Sequence, residues 1–314
     1  MASTCIQKLC EDEKLRILVT GSSGFIGSRL VKFLRKKNIE VIAIDNNGGK
    51  SPLEDITTLQ WDLSSVDSVI HLAAKISVAE SFEKTEEYLK TNVDATRRLF
   101  EACRDFRVKR TVFASSAAVY GQSINKIKTV GEEATPESPY AETKIAGEEM
   151  AIELSSKNCA FTCFRFFNVY GPGQRHDSPY SAVIPIFIYR LTRGLPVTIF
   201  GDGKQTRDFI HISDVCNALY KAAISKNSRS EILNLGTGKS ISILDLTRLI
   251  SEIVSEEGGP RDTEIILRPA REGDVLHSTA DILGLEEFFR NSEFMELSQG
   301  IRELVRLEFA SLHS

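Results

Sequence analysis

The chain reads as an α/β protein: a doubly wound, mainly parallel sheet carrying a smaller second α/β lobe. Three observations predict this. Short β-branched runs alternate with helical patterns from Leu15 onward, a glycine-rich turn joins the first run to the first helix, and an acidic residue closes the second run. The alternation is the rhythm of βαβ units.

Taken in order, Arg16-Ile-Leu-Val-Thr20 is the first strand and residues 28–37 the first helix, followed by strands at 41–44 and 69–72. A helix is expected over 91–104, a strand over 110–115, a helix over 140–156 and strands over 160–166 and 231–235. About seven strands would complete the sheet. Gly171, Pro172, Gly173, Pro179 and Pro185 interrupt the rhythm, which resumes with different spacing at 184–191 and again from 241. We therefore expect residues 15–175 and 208–240 to form the larger domain and residues 176–207 and 241–314 the smaller lobe. Residues 1–14 have only Ile6 and Leu9 as aliphatics beside a Glu-Asp-Glu-Lys run and are expected to be a disordered leader rather than a secretory signal.

Composition narrows the class. The 314 residues are 42% hydrophobic and 26% charged, which suits a core that needs neither disulfides nor metal. With 39 basic and 43 acidic residues the net charge is −4, without the basic footprint of a nucleic-acid binder. No apolar run approaches the roughly 18 residues of a membrane span. The six cysteines form no C-x-x-C pair and the histidines add no zinc spacing, so reduced structural thiols, no metal site and a cytoplasmic location are expected.

The first chemical motif is Gly21-Ser-Ser-Gly24-Phe25-Ile26-Gly27, set between strand and helix. Glycines there let backbone N–H groups approach a pyrophosphate, and the helix N-terminus adds favourable partial charge. Asp45, followed by Asn46, ends the second strand, where a carboxylate accepts hydrogen bonds from ribose hydroxyls and repels a 2′-phosphate. Strand, helix and acid together point to NAD rather than NADP. A glycine turn serving geometry alone would not need the acid.

The second motif is Tyr140-Ala-Glu-Thr-Lys144, a phenol and an ammonium four apart on one helix face. A free tyrosine is a poor base at neutral pH, but a neighbouring cation and an oxidised nicotinamide stabilise its phenolate. Most such pairs merely decorate a surface. Here Ser115-Ser116 ends a strand at the carboxyl edge, where the crevice of an open α/β fold lies, and Ser116 can hydrogen-bond the same substrate oxygen as Tyr140.

With Thr20-Gly-Ser-Ser-Gly-Phe-Ile-Gly27, His71-Leu-Ala-Ala74, Asn92, Ser115-Ser-Ala-Ala-Val-Tyr-Gly121, Tyr140 with Lys144, Arg165-Phe-Phe-Asn-Val-Tyr-Gly-Pro-Gly173 and Arg207-Asp-Phe-Ile-His211, the chain resembles the extended short-chain dehydrogenase/reductase family. The likeness spans roughly residues 15–282 and is strongest to the sugar-nucleotide branch, in particular UDP-glucose 4-epimerases. It implies a Rossmann-like NAD domain, a substrate-binding lobe, a UDP-sugar substrate and a homodimer. By position, Asp62, Leu63, Leu72, Ala73, Ala74, Asn92, Ser115 and Phe166 match cofactor contacts, and Lys144 would hold the nicotinamide ribose. Asn168, Val183 and Phe200 match substrate positions, Phe200 where the family encloses uracil. Arg207 and Arg271 match the diphosphate clamp, Asp274 the acceptor for the nucleotide ribose, and Ser278 a size gate for the sugar's 2-substituent.

Several reactions of this family begin by oxidising C4, so Ser116, Tyr140 and Lys144 do not name the product. Dehydratases and decarboxylases of the family carry acidic residues just after the matching serine or threonine. Here Ala117 and Ala118 stand there, and methyl groups can move no proton. The expectation is 4-epimerisation of UDP-glucose/UDP-galactose and of their N-acetylated counterparts. The alternatives are a UDP-glucuronate epimerase, a reductase or dehydratase, and a non-catalytic NAD-binding protein. For the dimer, Leu99, Cys103, Ile145, Met150 and Leu154 offer apolar positions at helical spacing that serve an interface or simply face the core.

Overall fold

The computed structural model describes residues 14–46, 55–177, 182–227, 229–261, 263–271, 273–288 and 293–312. The leader, apart from Lys14, lies outside them, as do Cys5 and Cys10.

Strand β1 (Arg16–Thr20) leads through the glycine turn into α1 (Phe25–Lys36), then β2 (Glu40–Ile44) and β3 (Ser68–His71). The expected helix over 91–104 is longer and composite: α2 (Val78–Glu83), α3 (Thr85–Tyr88), a π turn (Leu89–Asp94) and α4 (Ala95–Asp105). β4 (Arg110–Ser116) passes into a 3₁₀ turn (Ala117–Tyr120), and β5 (Ile127–Lys128) precedes α5 (Pro139–Glu153). Ser138 caps α5 by accepting from the Ala141 N–H, and Pro139 takes the first turn, where its missing donor costs nothing. Then come β6 (Ala160–Phe166), β7 (Asn168–Tyr170), α6 (Val183–Leu191), β8 (Val197–Phe200), β9 (Thr206–His211) and α7 (Ile212–Ala223). The chain closes with β10 (Glu231–Leu235), β11 (Ser240–Ser242), α8 (Ile243–Glu256), β12 (Ile265–Arg268), β13 (His277–Ala280), α9 (Leu283–Phe288) and α10 (Leu297–Leu312).

Six strands, not about seven, form the main sheet among the described residues, in the order β10-β6-β4-β3-β1-β2, every pair parallel. Such a sheet must be covered on both faces. One face packs Leu30 and Leu34 of α1 with Val215 and Leu219 of α7, and the other packs Leu99, Phe100 and Cys103 of α4 with Met150 of α5. The order reverses between the neighbouring strands β1 and β3, whose carboxyl ends therefore open a crevice.

A second core gathers α6, α8 and α10 around Ile184, Leu246 and Ile301. Small sheets tie it to the first. β9 lies against β7, β11 and β13, and β8 pairs with β12. Asp208, fully buried in β9, fastens this junction by accepting from the Thr237 and Gly238 N–H groups, the Thr237 hydroxyl and the Ala280 N–H. Cys103, Cys159, Cys163 and Cys216 are free and buried, and no described helix is long and apolar enough to cross a membrane.

Candidate functional site

Two cavities open along the crevice and share Val169 in their walls. The first, about 620 Å³, runs from the glycine turn to the end of β4. Its walls include Gly21, Gly24, Phe25, Ile26 and Gly27 at one end, with Asp45 and Asn46 at the tip of β2. Leu72, Ala73 and Ala74 follow β3, and Ser115, Ser116, Tyr140, Lys144 and Phe166 close the other end.

The turn fits a dinucleotide for reasons visible in its atoms. A Cβ on Gly27 would sit 2.0 Å from the Gly21 carbonyl oxygen, so helix and turn approach only because that side chain is absent. No side chain caps α1 at Gly24, which leaves first-turn N–H groups for phosphate oxygens. Asp45 accepts from the Ser23 N–H at 2.8 Å, holding its carboxylate against the turn. Behind the turn, Thr20 and Thr96 hydrogen-bond the two nitrogens of buried His71 at 2.7 and 2.9 Å, and Thr20 Oγ1 also accepts from the Ala73 N–H. Burial, with the Lys144 charge behind it, lowers His71 to a pKa of about 3, so this ring is neutral.

Three residues expected at the cofactor lie off this wall. Leu63 is in the core beneath α4, and Asp62 accepts from the Ser64 N–H at an exposed bend. Asn92, buried in the π turn, accepts from the Lys75 N–H and donates to the Lys75 carbonyl and Thr143, so it shapes the loop after β3. Ser115 also changes role, because its hydroxyl donates to Glu148 at 2.5 Å and is spent inside the protein. Conversely, Lys75, Ile76 and Gln174 line the cavity without any motif to announce them.

At the far end, Lys144 donates to the Ala114 carbonyl at 2.8 Å and lies 5.7 Å from the centre of the Tyr140 ring. Ser116, the last residue of β4, accepts from the Ala118 N–H, which leaves its own proton to donate. Ser116 also faces Tyr140, and its hydroxyl opposes the upward push of burial on the phenol. Burial lowers Lys144 to about 8, and Glu148 works against that fall. Serine, phenol and ammonium thus meet at one point, able to pass a proton to or from a bound hydroxyl.

The second cavity, about 530 Å³, brings together Asn168, Val183, Phe200, Arg207, Arg271 and Asp274 from five separate stretches of chain. Arg207 pairs with Asp274 at 2.5 Å, and the Arg271 guanidinium stacks 4.0 Å above the Phe200 ring. Asn168 donates to the Asp208 carbonyl at 3.0 Å, which fixes the orientation of its amide. Ser278 is off the wall. It is buried in β13, opposite Arg207 of β9 in the strand register.

Residues 17–236 match the model of the NAD dependent epimerase/dehydratase family. A UDP-glucose 4-epimerase of Halalkalibacterium halodurans is 34% identical over 317 residues, covering 90% of this chain and 93% of its own. Among solved structures, a UDP-N-acetylglucosamine 4-epimerase from Methanobrevibacter ruminantium, in complex with UDP-N-acetylmuramic acid, superposes with a TM-score of 0.86 at 33% identity, covering 95% of this chain and 99% of that one. MoeE5, in complex with UDP-glucuronic acid and NAD, gives 0.83 at 35% identity, covering 94% and 99%. The relatives are not all epimerases, since a UDP-N-acetyl-alpha-D-glucosaminuronate decarboxylase of Bacillus cytotoxicus is 30% identical over 93% of this chain and 97% of its own. Motifs, crevice and match over most of its length make this chain a member of the NAD-dependent epimerase/dehydratase family, with NAD as its cofactor.

Proposed function

We propose that the protein interconverts UDP-hexoses at C4, acting on UDP-glucose/UDP-galactose and on their N-acetylated counterparts. The observation that carries this is the gathering of Ser116, Tyr140 and Lys144 at one end of the first cavity, with Ala117 and Ala118 beside them instead of acids. Gly21, Gly24, Gly27 and Asp45 would hold the cofactor's phosphates and ribose, and Lys144 its nicotinamide ribose. When bound, NAD supplies a hydride acceptor that later returns the same hydride.

Tyr140, as phenolate, takes the proton of the sugar's 4-hydroxyl, directly or through Ser116, as C4 is oxidised. The 4-keto sugar turns about its diphosphate link and receives hydride on its other face, and the proton goes back along the same path. Arg207 and Arg271 hold the diphosphate through the turn, Asp274 the ribose and Phe200 the uracil. A dehydratase or decarboxylase would need a further acid or base where the two methyl groups stand.

The same reading gives the larger domain the cofactor and the smaller lobe the uridine, and keeps a cytoplasmic homodimer. Of the two readings open for the apolar helix positions, they follow the core one. Leu99, Cys103, Met150 and Leu154 are buried in their own core and Ile145 packs against another internal cluster. Phe82, Leu89 and Ile152 instead expose apolar side chains on the face formed by α2, the π turn and α5.

The test is a panel of UDP-sugars, UDP-glucuronate included, with products resolved for the wild type and Ser278→Tyr. We expect both plain and N-acetylated hexoses to be epimerised by the wild type, and, with Ser278 read as the size gate for the 2-substituent, Ser278→Tyr to suppress the N-acetylated ones selectively. Turnover of UDP-galactose with UDP-N-acetylglucosamine untouched would refute the broad specificity.

A further inference from the structure

Beneath Tyr140 and Lys144 lies a buried ion pair that the catalytic motif does not include. Glu148 is one helical turn after Lys144, as Lys144 is one turn after Tyr140, so the three share a face of α5. Glu148 and Arg165 are 3% and 5% exposed. Arg165 donates from Nε to Glu148 Oε1 at 2.9 Å and from Nη2 to Oε2 at 2.7 Å, and Ser115 adds its hydroxyl to Oε1. This bidentate fork and a third donor fix the carboxylate in place. The pair is itself held. Arg165 stacks on the Tyr120 ring at 4.8 Å, and the Tyr120 hydroxyl donates to Asn234 at 2.6 Å, so β4, α5, β6 and β10 all brace it.

We propose that Glu148 is a positioning residue that keeps the proton shared by Tyr140 and Lys144 on the lysine, so that Tyr140 stands ready as phenolate. This deepens the functional reading above and rests on Tyr140 being its base. With one proton between them the two side chains have two arrangements, phenolate with ammonium or phenol with amine. Moving the proton from Tyr140 Oη to Lys144 Nζ leaves the total charge unchanged. Burial favours the uncharged arrangement, and it acts on both groups in that sense. Glu148 opposes it. Its charge is one turn from the ammonium and two from the phenolate, and so stabilises the first more than it disfavours the second.

The other titratable groups around the pair do not replace it. His71 on β3 is neutral, and the Cys163 thiol on β6 is held protonated by burial. Tyr120 in the 3₁₀ turn is raised by burial, and Arg165 on β6 carries a positive charge that cannot favour an ammonium on Lys144.

The experiment reads tyrosinate absorbance of NAD-loaded protein at neutral pH, subtracting a Tyr140→Phe counterpart in each background, alongside kcat and KM. Variants are Glu148→Gln with Arg165→Met, which removes both members and strands neither charge, Glu148→Gln alone, and Glu148→Asp. The expected result is a Tyr140 tyrosinate signal in the wild type and a fall of about tenfold, one unit of proton affinity, in both variants that lack the Glu148 carboxylate, the charge-free double variant and Glu148→Gln alone. There kcat falls in parallel with KM unmoved, and Glu148→Asp recovers both signal and rate. A folded, NAD-retaining charge-free variant with the wild-type signal overturns the proposal. So does a wild type without Tyr140 tyrosinate, which decides the matter even if no charge-free variant folds. The absorbance needs no sugar, so an intact bias in a wild type that epimerises nothing would count against the proposed function and not against Glu148.

Discussion

At the scale of single residues, Tyr140 and the two serines make the sharpest distinctions. Tyr140→Phe deletes one hydroxyl from a buried ring and leaves both cavities their shape, so turnover should nearly vanish while UDP-sugar affinity holds. Calorimetric titration beside a rate assay separates the two, and wild-type rates would remove Tyr140 from the chemistry. Ser116 and Ser115 are neighbours with opposite surroundings, one facing Tyr140 and the other Glu148. Ser116→Ala should lower kcat by about a hundredfold, the usual worth of one positioned donor. Ser115→Ala should cost far less rate, its loss being an internal hydrogen bond of about 1–3 kcal/mol to a charged group. The reverse order in rate assays would exchange the roles.

At the scale of elements, the approach of α5 to β4 sets the geometry of the Tyr140 and Lys144 pair. A Cβ at Gly147 would lie 2.3 Å from the Phe113 ring, and that ring in turn stacks near His71 and lies 5.1 Å from the Lys144 ammonium. Gly147→Ala must push helix or ring, so we expect a stability loss of about 1–3 kcal/mol by urea unfolding and a fall in kcat larger than the change in KM. Unchanged stability and rate would show that the approach is loose. These elements were readable to different depths. β1, β6 and β10 have the bounds that their β-branched runs predict, because a strand buried on both faces writes itself as a continuous apolar run. The helix before β4 began earlier and held a π turn that no propensity signals, since it answers to the hydrogen bonds of Asn92 with Lys75. Tyr140 and Lys144 stood out by spacing within one helix. Glu148 has the same spacing, yet only the fold shows that Arg165, 17 positions later, meets it. Asp62 and Leu63 lie in the irregular stretch between β2 and β3, and Ser115 at the end of β4 turns to Glu148, so packing and not spacing settles where each of these side chains goes.

At the scale of the whole molecule, a neutral histidine sealed under the cofactor turn links stability to pH. His71 falls from the ordinary 6.5 to about 3, so between those values the unfolded chain binds a proton that the folded protein refuses. Its contribution is complete above 6.5 and drains away as pH falls toward 3, by about 2 kcal/mol over the first one and a half units. Urea midpoints taken across this window should slope upward with pH, and His71→Gln should flatten the slope whatever it does to the absolute stability. An unchanged slope would place the proton elsewhere. The larger claim, that one hydride leaves C4 and returns to it while the sugar turns between two cavities, has a direct isotopic test. UDP-galactose deuterated at C4 is incubated with the NAD-loaded protein and the UDP-glucose formed is read by mass spectrometry. The account predicts that deuterium stays at C4 through full conversion, with no reduced nicotinamide released. Deuterium lost to water, or carried off on a released reduced cofactor, would contradict it.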